Sequence, residues 1–495
     1  MKISAKWSLA AAALIACPFV TMADEEPDYL RSSLYTILLN SKTQNQRIEE
    51  ENNNVAGNEF MEMAKGFAKT DEKKAANDNS TLKLGEIPMA EFMGIAIPNQ
   101  FNDHNLSVRT IDFDTYKNGI SKEQADEMNT KFTGKKKGGG FMKALGAAAL
   151  STAAGGETGL INTDDTGDYM IAVVDKFLQD DNTAAKMTAR WFDYDTATGK
   201  WDPSQKTLNE RAIQSLNIRE QSEGGEGQAT AAGAKAFNLI PNTFLMTVNL
   251  SFRSNKALVA GAQKLAGGLL GSGAASMLGA AASAAAGDGY SVQAQTTLWR
   301  LVWDENTEMA ISNALEKGQK LDDLIKSGAC KLEFVGKDKA TARVRQSLFS
   351  DKPISSLVSR ATTRAIDAAI AKLQEGNEVF RTKFPISSCD ADGNIKVKIG
   401  TKEGVSKGDT YAILEQQEGP DGKYIYKEVA TVKPNEKLIW NNVFGAEEEA
   451  AENSKNKDGK SEDFNNDAVS LGYTTFVGKK GKDFSGYYIQ LKKKK

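Results

Sequence analysis

Two alternating runs on either side of an uncharged block constrain this chain more than any other feature of its sequence. The first runs from Thr243 to Phe252. The second runs from Tyr290 to Trp303 and places Val292, Ala294, Thr296, Leu298 and Val302 on alternate positions. A period of two predicts a strand on each side. Between them, Leu265 to Gly287 carries no charge, and small residues recur at Gly267, Gly271, Ala275, Gly279, Ser283 and Gly287. Small residues four apart let helices approach closely. The pattern therefore predicts a sheet interrupted by a helix-packing insert, over residues 256–289. That insert can be buried or self-associating, can form a mobile loop, or can touch a membrane. A second Gly/Ala-rich insert, 138–160, precedes Tyr169-Met170-Ile171-Ala172-Val173-Val174, which reads as a strand. The two inserts are expected on one side of the same domain.

The first 23 residues have the layout of an export signal. Lys2 and Lys6 supply the basic start, and Trp7 to Val20 is apolar but short for a membrane span. Thr21-Met22-Ala23 offers a cleavage site. Leu14-Ile15-Ala16-Cys17 offers a second reading, a lipobox with lipidation at Cys17. Both readings place the protein in the periplasm, at the outer membrane or outside the cell. In such compartments cysteines can pair. Cys330 and Cys389 are the candidates, and a bridge between them closes a loop of about 60 residues, worth roughly 4 kcal/mol in the chain-entropy picture. Spacing alone leaves pairing and two separate thiols equally open.

The 62 Lys+Arg against 65 Asp+Glu leave no basic excess, which argues against a nucleic-acid partner. At 495 residues the chain has room for about two or three domains. Residues 24–81 read as an N-terminal helical segment and linker, with Leu30, Leu34, Ile37 and Leu38 on one helical face. Residues 82–376 read as a mixed α/β domain. It holds a strand at Val108–Thr115 and a helix at Ser121–Phe132. Hairpins are expected around Asp195–Gly199 and around Lys337-Asp338-Lys339, with a helical stretch, Asn306–Ser327, between them. Ile354 to Gln374 is the clearest helix, with Val358, Ala361, Ala365, Ala369 and Leu373 on one stripe.

Residues 383–495 change to short strands and polar turns: Ile395–Ile399, Asp409–Glu415, Lys423–Val432, Thr474–Gly478 and Tyr487–Leu491. They predict a small β-barrel or sandwich with a disordered loop over 447–467. The terminal Lys492–Lys495 reads as a solubilising tail. The fold class is thus α+β.

The stretch Ile399-Gly400-Thr401-Lys402-Glu403-Gly404-Val405-Ser406-Lys407-Gly408-Asp409, followed by an alternating strand, resembles the C-terminal β-module of flagellar-assembly T-type proteins. Similar modules accompany curli-secretion (CsgG-like) envelope proteins. Leu239-Ile240-Pro241-Asn242-Thr243-Phe244, the helix Ala361 to Leu373, and Phe380-Arg381-Thr382-Lys383 are similar to an uncharacterised exported family of Bacteroidetes-type bacteria. The resemblance implies an envelope location and assigns no activity. The Gly/Ala inserts do not look like the amphipathic hairpins with which curli pores cross membranes.

Catalytic chemistry has few carriers. His104 is the one histidine and reads as a solvated loop residue, so no His-based metal site or triad is expected. Asp164-Asp165 and Asp180-Asp181 read as turn carboxylates. Lys135-Lys136-Lys137-Gly138-Gly139-Gly140 has its lysines before its glycines, the reverse of a phosphate loop. The expectation is a non-enzymatic envelope protein without cofactor or metal, acting through contacts with other envelope proteins or with itself as a homo-oligomer. Peripheral membrane contact belongs to the alternative, a membrane-associated oligomeric secretion or assembly accessory that uses the inserts.

Overall fold

The computed structural model describes residues 32–40, 92, 101–133, 169–201, 240–254, 289–345, 354–418, 424–455 and 466–495. Among them are nine helices and two sheets, a mixed α+β arrangement. In chain order the first part contains β1 (Ser33–Asn40), β2 (Asn102–Thr110), α1 (Phe113–Asn118), α2 (Lys122–Thr133), α3 (Met170–Asp180) and α4 (Thr183–Trp191). It continues with β3 (Thr243–Ser254), β4 (Gly289–Leu301), α5 (Glu305–Lys317), α6 (Leu321–Ser327), β5 (Leu332–Arg345) and α7 (Ile354–Gly376).

The first sheet has the order β2-β1-β3-β4-β5. β1 runs parallel to both of its neighbours, and β3, β4 and β5 are antiparallel. The two runs that flank the uncharged block form β3 and β4, paired from Phe244↔Arg300 to Ser254↔Tyr290. One face of the sheet offers Leu34, Leu38, Met246, Val248, Val292 and Leu298 to α7. The stripe expected on α7 is fully buried there: Val358, Ala361, Ala365, Ala369 and Leu373. Alanines on that stripe let the helix axis lie close to the sheet. The other face offers Tyr35, Ile37, Leu39, Leu245 and Trp299 to Ile171, Val174 and Phe177 of α3.

This double coverage explains the first correction. Leu34 to Leu39 is the strand β1, not a helical face. A strand covered on both faces is apolar at every position, so its period of two is erased and the run also fits a helix. The second correction is Met170 to Val174, which begins α3 instead of a strand. Phe177 and Leu178, one turn further on, share its buried face. The return from the first insert is therefore helical, unlike the return into β4. The hairpin expected around Asp195 keeps its turn, in which Asp195 accepts hydrogen bonds from Ala197 N (2.8 Å) and Thr198 Oγ1 (2.6 Å). Its first arm is the helix α4. Asn306–Ser327 is helical, but as two helices divided at Gly318.

β5 is one continuous strand, not a hairpin around Lys337-Asp338-Lys339. Those three residues pair with Thr297, Thr296 and Gln295, and the charge suits an outer strand. The register shifts beside Gly336. A Cβ there would stand 2.5 Å from Oδ1 of Asn377, the residue after α7, so any larger residue would have to displace that side chain. β2 begins earlier than expected. It ends before Asp112, whose side chain caps α1 by accepting from Thr115 N at 3.0 Å. His104 lies in β2, where its register with β1 slips, and not in a loop.

The second sheet is a curled half-barrel of seven strands, β6 (Phe384–Pro385), β7 (Ser388–Cys389), β8 (Asn394–Val397), β9 (Thr410–Glu418), β10 (Tyr424–Pro434), β11 (Thr474–Val477) and β12 (Tyr488–Lys493), with α8 (Ala446–Lys455) and α9 (Asn466–Val469) between β10 and β11. The order is β6-β12-β9-β10-β11-β8-β7. Ile395, Val397, Ile399, Tyr411, Ile413, Phe476 and Ile489 fill its interior. Val405 from the Gly400–Asp409 turn is buried among them. The segment expected to be disordered over 447–467 is helical at both ends, in α8 and α9; residues 456–465 lie outside the described residues.

Candidate interaction surface

α7 serves both sheets. Opposite its alanine stripe, Arg360, Arg364, Asp367 and Ala371 form a second stripe that meets the half-barrel. Arg360 is buried and donates to Glu448 Oε2 (2.7 Å) and Glu449 Oε1 (3.0 Å). Arg364 reaches Glu449 Oε2 at 3.0 Å and donates from Nε to the Phe444 carbonyl at 2.8 Å. Two guanidiniums therefore clamp the acidic first turn of α8, whose N-terminal dipole also favours carboxylates. Gly445 makes the approach feasible. Its φ is +74°, and a Cβ would lie 2.6 Å from Arg360 Nε. Arg360 and Arg364 four apart on α7 and the run Glu447-Glu448-Glu449 are each visible in the sequence, but their pairing is not.

Asp367 faces the turn Thr401–Glu403. It is buried, and its Oδ2 has no hydrogen-bond partner among the described residues. Burial pushes its carboxyl up to about 6; Lys402, with Nζ at 4.0 Å, pulls the other way and Glu403 adds to the rise. The turn itself is tied by Glu403 Oε2, which accepts from Gly400 N and Asn442 Nδ2, each at 2.7 Å. Further along, Asp409 is fully buried and accepts from Ser406 N (2.8 Å), Ser406 Oγ (3.0 Å) and Lys494 Nζ (2.9 Å). Lys494 also donates to the Gly404 carbonyl. The terminal lysines are thus structural and not a loose tail: Lys492 pairs with Glu428 at 2.5 Å, and Lys494 compensates a buried carboxylate. Tyr411 nearby is held well above the usual phenol range by burial, then by Asp409, Glu403 and Glu375.

The outer part of the half-barrel is open. β10 pairs with β9 from Tyr424 to Val432, but it meets β11 only at Lys433 and Pro434. Over most of its length its second edge has no strand partner among the described residues. Ile425 is 50% exposed and Val429 41%, and Val477 at the end of β11 is 54% exposed. Val429 sits at a register shift, and bulges of this kind deflect an edge from indiscriminate pairing. Lys427 and Lys433 are exposed along the same strand.

The remaining sequence candidates are spread apart. Cys17 and the series Gly267, Gly271, Ala275, Gly279, Ser283 and Gly287 lie outside the described residues. Cys330 and Cys389 are free thiols in separate apolar clusters, Cys330 beside Leu301 and Ile311 and Cys389 in the half-barrel. Burial raises both thiols, which makes them weak nucleophiles. Among the described residues no acidic, His or Cys group forms a metal-holding cluster, and no helix is long and apolar enough to cross a membrane. Compared with protein-family models, curated proteins and solved structures, the chain matches none.

Proposed function

We propose that this chain is an exported, non-enzymatic envelope protein that acts by contact with another envelope protein, through the open edge of its half-barrel. The observation that carries the reading is β10: from Tyr424 to Val432 its second edge has no strand partner among the described residues, and Ile425 and Val429 are exposed along it. An edge of that kind accepts an extended segment from a partner through main-chain hydrogen bonds. The lysines along it favour a segment with alternating apolar and acidic residues. In this reading residues 82–376 form one domain with inserts at 138–160 and 256–289, and 383–495 form the contact module. A photo-cross-linking residue at Ile425 or Val429, activated in intact envelopes, should trap one discrete adduct. The same residue at exposed Lys317 should trap none. Identical patterns from both positions would refute the assignment.

A second reading, a membrane-associated assembly accessory, draws support from the pairing of Ser254 with Tyr290. That pairing sets Ser254 and Tyr290, the described residues on either side of the second insert, opposite each other. Deleting residues 265–287 should then lower the native mass measured by light scattering. An unchanged mass removes this reading.

A further inference from the structure

α7 is enclosed: from Ser356 to Gln374 every residue is buried or half-buried. The half-barrel is fastened to it near both ends. The arginine clamp grips α8 at Arg360 and Arg364. Just past the other end, Arg381 donates to the Leu491 carbonyl at 3.4 Å, and Gln490 Nε2 donates to the Arg381 carbonyl at 3.1 Å. Between these fastenings the turn Thr401–Gly404 lies directly on the helix. A Cβ on Gly404 would stand 3.0 Å from Ala371 Cβ. Asp367, one turn before Ala371, is buried at this middle contact, and its Oδ2 has no hydrogen-bond partner among the described residues.

The charged groups around Asp367 give its ionised form little relief. Lys402 Nζ stands 4.0 Å from Oδ1, beyond hydrogen-bond reach, and its side chain is 32% exposed. Glu403 adds a like charge, and its Oε2 is committed to Gly400 N and Asn442 Nδ2. On α7 itself, Arg360 and Arg364 are engaged by α8, and Lys372 donates to the Lys339 carbonyl at 3.3 Å. On β5, the Asp338 carboxylate accepts from Lys339 N at 2.7 Å. The core residues that β3 and β4 pack against α7 are apolar. A neutral carboxyl tolerates such a place, whereas a carboxylate calls for water or a donor. We infer that the contact between α7 and the turn Thr401–Gly404 is a proton-operated latch, closed while Asp367 carries its proton and opened to water when the carboxyl ionises. With the latch closed, burial holds this carboxyl at about 6. Once hydrated it returns to about 3.9. The closed form therefore keeps a proton that the open form releases, and opening is favoured as pH rises, by up to about a hundredfold at pH 8. The clamp and the Arg381 contacts confine the opening to the middle of the helix. The latch is independent of the β10 edge, since it concerns how firmly the half-barrel is held and not what it binds.

The test is hydrogen exchange of the full chain, read by mass spectrometry from pH 4 to pH 8. Asp367→Asn is measured at each pH, so that the intrinsic pH dependence of exchange cancels in the ratio. Peptides covering residues 400–405 should exchange at similar rates in both proteins at pH 4. At pH 8 they should exchange up to about a hundredfold faster in wild type. Reference peptides from β9 (residues 410–414) and β3 (residues 243–248) should show no such difference. Should the variant fail to fold, the ratio of the turn peptide to the β9 peptide in wild type alone carries the same test. A ratio that stays flat across the range overturns the inference. So does an equal rise in the β9 and β3 peptides, because that is unfolding of the whole chain and not release of one contact.

Discussion

Asp367 makes the energetic coupling between α7 and the half-barrel measurable. Its carboxyl sits at about 6 in the fold, because burial disfavours the charged form. In an unfolded chain it returns to about 3.9. Between these values the native state binds a proton that the unfolded state has released. Stability therefore falls as pH rises through this window, and the full contribution is present only below about pH 4. A shift of roughly two pH units corresponds to about 3 kcal/mol from this one group. Asp367→Asn removes the titration with little change of shape. Urea unfolding of wild type and variant from pH 4 to pH 8 isolates the effect, because other groups cancel in the difference. The variant should equal wild type near pH 4, gain steadily to about pH 6, and then stay ahead by up to about 3 kcal/mol. A difference that does not change with pH would refute the reasoning. So would a variant that loses ground as pH rises.

Further outcomes follow from the same contacts. Removing Lys494 and Lys495 leaves the buried Asp409 without its cation and should cost about 2–3 kcal/mol, read as a lower urea midpoint. Gly445→Ala forces a side chain into Arg360 at positive φ and should cost about 1–3 kcal/mol, with earlier proteolysis within α8. Leu38→Ala should cost about 2–5 kcal/mol, as expected of a core strand and not of a surface helix. Replacing both Cys330 and Cys389 with Ser should leave non-reducing gel mobility unchanged, since the thiols are free and lie in separate clusters.

The sequence was most readable where burial is one-sided. The strands of the half-barrel alternate because one flank meets a core and the other does not, while β3 and β4 are buried on both faces yet still alternate, because Thr247, Asn249 and Thr297 are buried polar residues on one of those faces. The stripe on α7 was visible for the same reason. Readability failed where both covered faces are mainly apolar, as at Leu34 to Leu39, because the alternation is then lost. It failed again at Met170 to Val174, where five apolar residues fit either period until the helix is followed on to Phe177. At Lys337-Asp338-Lys339, charge in a short run imitates a turn, but an outer strand tolerates it and Gly336 absorbs the bulge. The arginine clamp needed long-range pairing, between Arg360 and residues 88 and 89 positions later, which local patterns do not encode.

The interior place of β1, between β2 and β3, has a consequence for how the chain matures. Ser33 pairs with Thr243, about 210 residues further along. β1, the first strand among the described residues, must therefore wait for β3 before its second flank is covered. Contacts so distant in sequence slow folding. For a chain read as exported, that delay is useful. It favours a loosely organised precursor that can still be threaded across a membrane, with closure of the sheet postponed until translocation is nearly complete.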